Sequence, residues 1–234
     1  RSPTGEAKGA KTKTLGEDAY FLVWTTTPWT LPGNVALAVN PKARYAIVET
    51  AGEFLILAKD RLSALGSEYK IVKEEAGEKF VGLVYEPLYK SPSLKVQISS
   101  YKVVKGDFVT TEDGTGIVHV APAFGADDQK VGKETGLPTL STTDEAGAMK
   151  TKGYPWDGVY FKDADPLIVA DLKNRKLLYK TEMIEHDYPF CWRCQSALMY
   201  FARDSWFLKT TAVKQRMLEE NEKIHWQPPF LKTG

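Results

Sequence analysis

The chain has 234 residues and only two cysteines, Cys191 and Cys194, too few for a disulfide framework, so the cytosol is the expected compartment. It has no apolar run near the ~20 residues of a membrane span; the longest, such as 20–24, are strand-sized, and no membrane partner is expected. There is no secretory leader, and the chain opens on Arg1 rather than Met, so it is expected to be an excised or processed piece. An excess of one charge is missing too. Lys and Arg number 31 against 30 Asp and Glu, a net charge of +1 that, taken alone, argues against a nucleic-acid partner. The motifs GxGxxG, GxxxxGK[ST], HExxH and GxSxG are all absent, which disfavours a phosphate-cradling nucleotide enzyme, a zincin and a hydrolase with a nucleophile elbow. The three histidines, His119, His186 and His225, lie far apart in sequence.

What is present excludes disorder: 43% hydrophobic and 12% aromatic residues can build a core. Charge is spread unevenly. Residues 1–16 are basic, residues 107–165 carry eleven acidic side chains against five basic ones, and residues 166–234 are basic again. Such a pattern is either solvated surface or a setting for a cationic group flanked by phosphates.

The local signals are mostly β. Short apolar runs punctuated by Gly and Pro predict strands at 21–27, 34–39, 69–73, 95–99, 108–111 and 116–120, with a hairpin of 45–50 and 54–58 about Ala51-Gly52-Glu53. Helices are predicted at 59–65, at 126–135 with Asp127 and Asp128 in the first turn and Gly136 past the end, from Asp165-Pro166 to about Lys176, and at 210–222. This pattern predicts a mainly β fold of α+β character, a closed or nearly closed β-barrel core with peripheral helices. The predicted domains are a flexible lead-in at 1–16, a core at 17–178, and a connector at 179–234.

Two segments carry chemistry. In WTTTPWTLPGN (24–34), a strand ends in three threonines before Pro28, and alternation places Thr25 and Thr27 on one side. In GTGIVHVAPAFGADD (114–128), a buried strand bearing His119 runs through an Ala-Pro break into a helix start bearing two carboxylates. A carboxylate there is favoured in its ionised form and suits an ammonium group. From the residues alone, the plainer reading is favoured for each segment: a strand end with a Pro-Gly turn in the first, and a core histidine with a capped helix in the second.

Together the two segments resemble, nearly letter for letter, the editing domain inserted in class I aminoacyl-tRNA synthetases, specifically the isoleucyl type. FVGLVYEP (80–87), Asp157-Gly158, YPFCWR (188–193) and Ser205-Trp206-Phe207 extend the resemblance over residues 19–226. The valyl and leucyl relatives resemble TTRP followed by an acidic residue, where this chain has Thr27-Pro28-Trp29. The HIGH and KMSKS signatures of the synthetic site are missing.

The resemblance implies hydrolysis of valyl-tRNA(Ile), and of valyl-adenylate as a second substrate, without amino-acid activation. Asp128 would bind the α-ammonium. Thr25, Thr26 and Thr27, with Trp29, Thr30, Asn34 and Asp127, would surround the amino acid, terminal adenosine and water, and His119 would exclude the larger isoleucine. Some relatives carry a second histidine where this chain has Phe124. Its partners would be the valine-bearing 3′ end of tRNA(Ile) and the rest of a synthetase, the chain itself being a monomer. A non-catalytic tRNA 3′-end module, or a valyl or leucyl editing domain, are the other readings. No cofactor is expected in this chain. Cys191 and Cys194 form one CxxC, either half of a structural zinc site completed in the full-length enzyme or two free thiols; His186 is the third candidate ligand.

Overall fold

The computed structural model describes residues 2–12, 19–66, 68–90, 101–184 and 187–232. In chain order these form β1 (Ser2–Thr12), β2 (Ala19–Thr25), β3 (Ala36–Val39), β4 (Arg44–Thr50), β5 (Glu53–Ala58), β6 (Lys70–Ala76), β7 (Val84–Tyr85), β8 (Tyr101–Lys105), β9 (Ile117–Val120), α1 (Ala126–Thr135), α2 (Phe161–Asn174), β10 (Leu178–Ile184) and α3 (Lys214–Lys223). One mixed sheet holds all ten strands, in the order β6-β4-β5-β2-β9-β3-β8-β7, with β1 pairing both β2 and β10. The architecture is the expected mainly β one, a curved half-barrel sheet with few helices.

Period-two alternation explains why the central strands are buried on both faces. Phe21 and Val23 of β2 join Leu37, Tyr45, Ile47 and Ile56 in one cluster. Leu22, between them, joins Ala46, Val48, Leu55 and Leu57 on the other face. β4 and β5 form the expected hairpin, and its two turn residues take positive φ, 49° at Ala51 and 78° at Gly52. A third cluster packs α2 against the Pro28–Gly33 3-10 turn: Phe161, Ala164, Ile168 and Leu172 face Trp29, Leu31, Phe124 and Trp156.

Several expectations need correction. Residues 2–12, expected as part of a flexible lead-in, are a strand, because β2 and β10 both offer an antiparallel partner. The boundary after 178 fails for the same reason: it would cut β10 from its pairing with β1. Ala197, Met199 and Phe201 also pack on the α2 cluster, and the chain divides instead into compact units Arg1–Ala202 and Arg203–Gly234. The second unit holds α3 and two 3-10 turns, Thr210–Ala212 and Pro229–Lys232.

Residues 108–111 are not a strand. Val109 N–H bonds back to Gly106 O, and the strand is β8, just before this turn. The strand expected at 95–99 lies outside the described residues. α2 starts at Phe161 rather than at Asp165, so Pro166 sits inside the helix, on its exposed side, where its missing N–H costs one bond. Among the described residues, no helix is long and apolar enough to cross a membrane.

Tyr45 ties the sheet to the loop before β9. Its hydroxyl donates to Gly116 O at 2.7 Å and accepts the Asn40 N–H at 2.9 Å. Burial pushes its pKa up to about 12, opposed in part by the Asn40 N–H. Gly116 itself has φ +72°, and a Cβ there would lie 2.4 Å from Ala58 Cβ. Gly116→Ala therefore combines a left-handed backbone with a steric clash, and should lower stability by about 2–4 kcal/mol. Gly66→Ala, with no atom within 4 Å of the added Cβ and no positive φ, should be nearly silent. Denaturant unfolding of the two variants checks this; equal midpoints would contradict it.

Candidate functional site

The register of the sheet builds the site. β9 lies between β2 and β3, pairing Val118 with Trp24 in parallel and His119 with Leu37 in antiparallel fashion. Thr25, next along β2, therefore meets His119 although 94 residues separate them. A cavity of about 210 Å³ opens there, lined by Trp24, Thr25, Thr26, Thr27, Thr30, Val118, His119, Ala121, Phe124 and Asp128.

A chain of hydroxyls runs along one wall. Thr27 N–H donates to Thr25 Oγ1 at 3.1 Å, and Thr27 Oγ1 lies 3.2 Å from Thr30 Oγ1. Thr30 Oγ1 donates to Thr27 O at 2.8 Å and lies 3.0 Å from His119 Nε2. A hydroxyl has a single proton, so Thr30 accepts from the imidazole, and this network assigns the His119 proton to Nε2. Thr25 Oγ1 is 3.4 Å from the same nitrogen. Nδ1 is buried without a hydrogen-bond partner among the described residues. Burial lowers the His119 pKa, and the nearby Asp128 charge raises it, a smaller effect. The ring is neutral near pH 7.

Asp128 occupies the third position of α1, with its Oδ2 accepting the Ala121 N–H at 3.0 Å. Gly125 permits this fold-back, since a Cβ there would sit 3.0 Å from the carboxylate. One acceptor bond leaves most of the carboxylate's lone pairs for a cation.

Eight of the nine sequence-predicted positions fall on these two segments' buried or half-buried faces, but not all of them reach the cavity. Thr25, Thr26, Thr27, Thr30, His119 and Asp128 line it. Trp29 does not: it is 3% exposed, its ring 4.9 Å from Phe124 and 4.8 Å from Phe161, because the 3-10 turn directs it into the α2 cluster. Asn34 does not line it either. Its amide is spent on Ala36 O at 2.7 Å and on the Tyr85 hydroxyl. Asp127 is exposed, one helix position away from the inward face.

Four lining residues were not predicted: Trp24, Val118, Ala121 and Phe124. Trp24 and Val118 were recoverable only through their pairing. Asp165 was missed as well; its signal is its place in the apolar stripe Phe161, Ala164, Ile168, Leu172. It is 2% exposed and accepts the Trp29 N–H at 2.8 Å.

The CxxC sits in a small turn, closed by Cys191 N–H to Ser196 O and Gln195 N–H to Cys191 O, both 2.9 Å, with Gln195 at φ 57°. The Ser196 hydroxyl, 2.8 Å from Cys194 Sγ, is the main cause of a thiol pKa lowered to about 7. The pair supplies two of the four ligands of a tetrahedral zinc. Among the described residues no group of three or more His, Cys, Asp and Glu could hold a metal ion, so these residues do not make a complete site. His186 lies outside the described residues.

No protein-family model matches the chain. It is similar to the isoleucine–tRNA ligase of Clostridium acetobutylicum, 48% identical over 227 residues, which are 96% of this chain and 22% of that protein. The isoleucine–tRNA ligase of Thermus thermophilus is 46% identical over 224 residues, 95% of this chain and 21% of that protein. The chain thus spans about one fifth of the length of the curated relatives it matches. Over nearly its whole length, then, the chain is similar to one segment of isoleucine–tRNA ligases. Solved structures show the matching fold. GlLeuRS-CP1 aligns at TM-score 0.59 and 16% identity over 79% of this chain and 100% of that one. The P. falciparum cytosolic leucyl-tRNA synthetase editing domain aligns at TM-score 0.56 and 14% identity over 70% and 79%.

For the buried acid Asp165, the pH dependence has a definite sign. Burial raises the Asp165 pKa from 3.8 to about 7, with the Trp29 N–H and Lys162 acting in the opposite direction. Between these values the folded chain holds the proton that the unfolded chain has released. Stability from this group is therefore lost as pH rises from about 4 through 7. Asp165→Asn should flatten that dependence, its stability relative to the parent rising between pH 5 and pH 8. Denaturant unfolding at both pH values checks it; parallel curves would show an ordinary carboxyl.

Proposed function

We propose that this chain hydrolyses the ester of valine misattached to tRNA(Ile), and valyl-adenylate as a second substrate, as the proofreading part of a longer isoleucine–tRNA ligase. The observation that carries the reading is the convergence of three threonine hydroxyls beside Pro28, a neutral histidine and a helix-start carboxylate on one small cavity. The physical need is simple. A synthetic pocket that accepts isoleucine cannot strongly reject valine, because one methylene is worth only about 1–3 kcal/mol, a value for which this family is itself the reference case. A second site that admits valine and excludes isoleucine supplies the rest.

In this reading Asp128 anchors the α-ammonium through a charge-assisted contact. Thr25, Thr26 and Thr27 orient the substrate carbonyl and a water, and stabilise the developing oxyanion with hydroxyl donors, while Thr30, whose proton goes to Thr27 O, holds His119. No covalent nucleophile is required. His119, neutral and held by Thr30, presents a fixed edge that admits valine and blocks the extra methylene of isoleucine. The terminal adenosine of tRNA needs little positive charge from the protein at this site, so the net charge of +1 is no obstacle. The remainder of the ligase would supply the other tRNA contacts.

Asp128→Ala should cut deacylation of valyl-tRNA(Ile) by about 10- to 100-fold, the scale of one lost hydrogen bond to a charged group. His119→Ala should raise hydrolysis of isoleucyl-tRNA(Ile) relative to the valyl ester. Radiolabelled deacylation assays check both. A chain that binds aminoacyl-tRNA and releases it unhydrolysed would instead be a non-catalytic 3′-end module.

A further inference from the structure

Thr27 stands at the N-cap of the Pro28–Gly33 turn, the place where a threonine hydroxyl ordinarily accepts the N–H of the second or third residue of the helical turn. Here Thr27 makes no such cap bond. Its hydroxyl lies instead 3.4 Å from Thr25 Oγ1 and 3.2 Å from Thr30 Oγ1. Pro28 has no N–H, so the first donor of the turn that needs a partner is Trp29 N–H. That partner is Asp165 Oδ1, 2.8 Å away and 136 residues distant in sequence.

We propose that Asp165 is a positioning residue of the site: it caps the turn in place of Thr27 and so frees the Thr27 hydroxyl to join Thr25, Thr30 and His119. The inference rests on the hydrolytic reading of that site and names a further residue for it.

Stability accounts for an acceptor to the buried Trp29 N–H but gives no reason for that acceptor to be ionisable. The turn is already held by the Trp29 ring between Phe124 and Phe161. Asp165 lies in the apolar stripe of α2, where an unionised or apolar side chain would avoid the desolvation that raises its pKa to about 7. What an acid adds is an acceptor reaching the Trp29 N–H from below. Without it, that buried donor has one acceptor close by in sequence, the Thr27 hydroxyl, and a rotation of Thr27 to cap it would break the hydroxyl chain to Thr30.

The test compares Asp165→Asn, which keeps an acceptor oxygen, with Asp165→Ala, which has none; Asp165→Leu, similar in volume, takes the place of the alanine variant if that does not fold. Folding is checked by thermal unfolding. Valyl-tRNA(Ile) deacylation is measured as kcat and KM, and the His119 ring nitrogens by 15N NMR. The expected result is an asparagine variant within about threefold of the parent. The alanine or leucine variant should lose at least tenfold in kcat with little change in KM, and its His119 Nε2 resonance should shift. Unchanged kcat and unchanged His119 resonances in a folded variant without the acceptor would overturn the inference and leave the hydrolytic reading intact. A parent chain that hydrolyses no aminoacyl ester would overturn that reading, while the 15N comparison would still decide whether Asp165 sets the hydroxyl chain.

Discussion

The site depends on the placement of one four-residue strand. β9 is inserted between β2 and β3, and its register sets His119 beside Thr25 and delivers the chain into α1 with Asp128 at its third position. A one-residue slip would turn His119 to the opposite face of the sheet and put Val118 or Val120 against the threonines. The slip is prevented by burial on both sides: Ile117 and Val120 are each packed into different clusters, at 1% and 0% exposure. The geometry of the candidate site is thus a consequence of sheet packing, with the reactive groups added at the strand ends.

The second constraint is the separation of anchoring from chemistry in the threonine segment. Trp29 and Asn34 flank the hydroxyls in sequence, yet both are turned away and committed, one to aromatic packing and the other to Ala36 and Tyr85. Thr30, one residue from Trp29, faces the opposite way and contacts His119. A turn fixed on both sides by buried side chains can hold short hydroxyls in place with little conformational freedom, which is what oriented-water catalysis requires.

Local signals were the legible ones. The 126–135 helix matched to the residue, since acidic first-turn residues and a left-handed Gly136 mark its ends, and the 45–58 hairpin followed from two apolar runs about a short Gly-containing turn. Pairings over long sequence distances were not legible. Nothing in residues 2–12 announces a strand, because its partners are β2 and the distant β10. The start of α2 was misplaced because Asp165-Pro166 looks like a helix entry, when Phe161 provides the buried anchor and Pro166 points to solvent. In the site, residue types and spacing identified the hydroxyls, the histidine and Asp128. They could not separate Trp29 and Asn34 from the lining, since a 3-10 turn sends neighbouring side chains in directions that a strand reading does not predict.

In the proposed function, Asp128 and the threonine wall bind opposite ends of one aminoacyl ester. This is tested most directly by a crystal structure of this chain with a non-hydrolysable 3′-valylamido-adenosine. The ammonium is predicted within about 3 Å of the Asp128 carboxylate, with the carbonyl against Thr25, Thr27 and Thr30 and the valine side chain against His119. An analogue bound elsewhere, or bound here with its ammonium directed away from Asp128, would contradict the account.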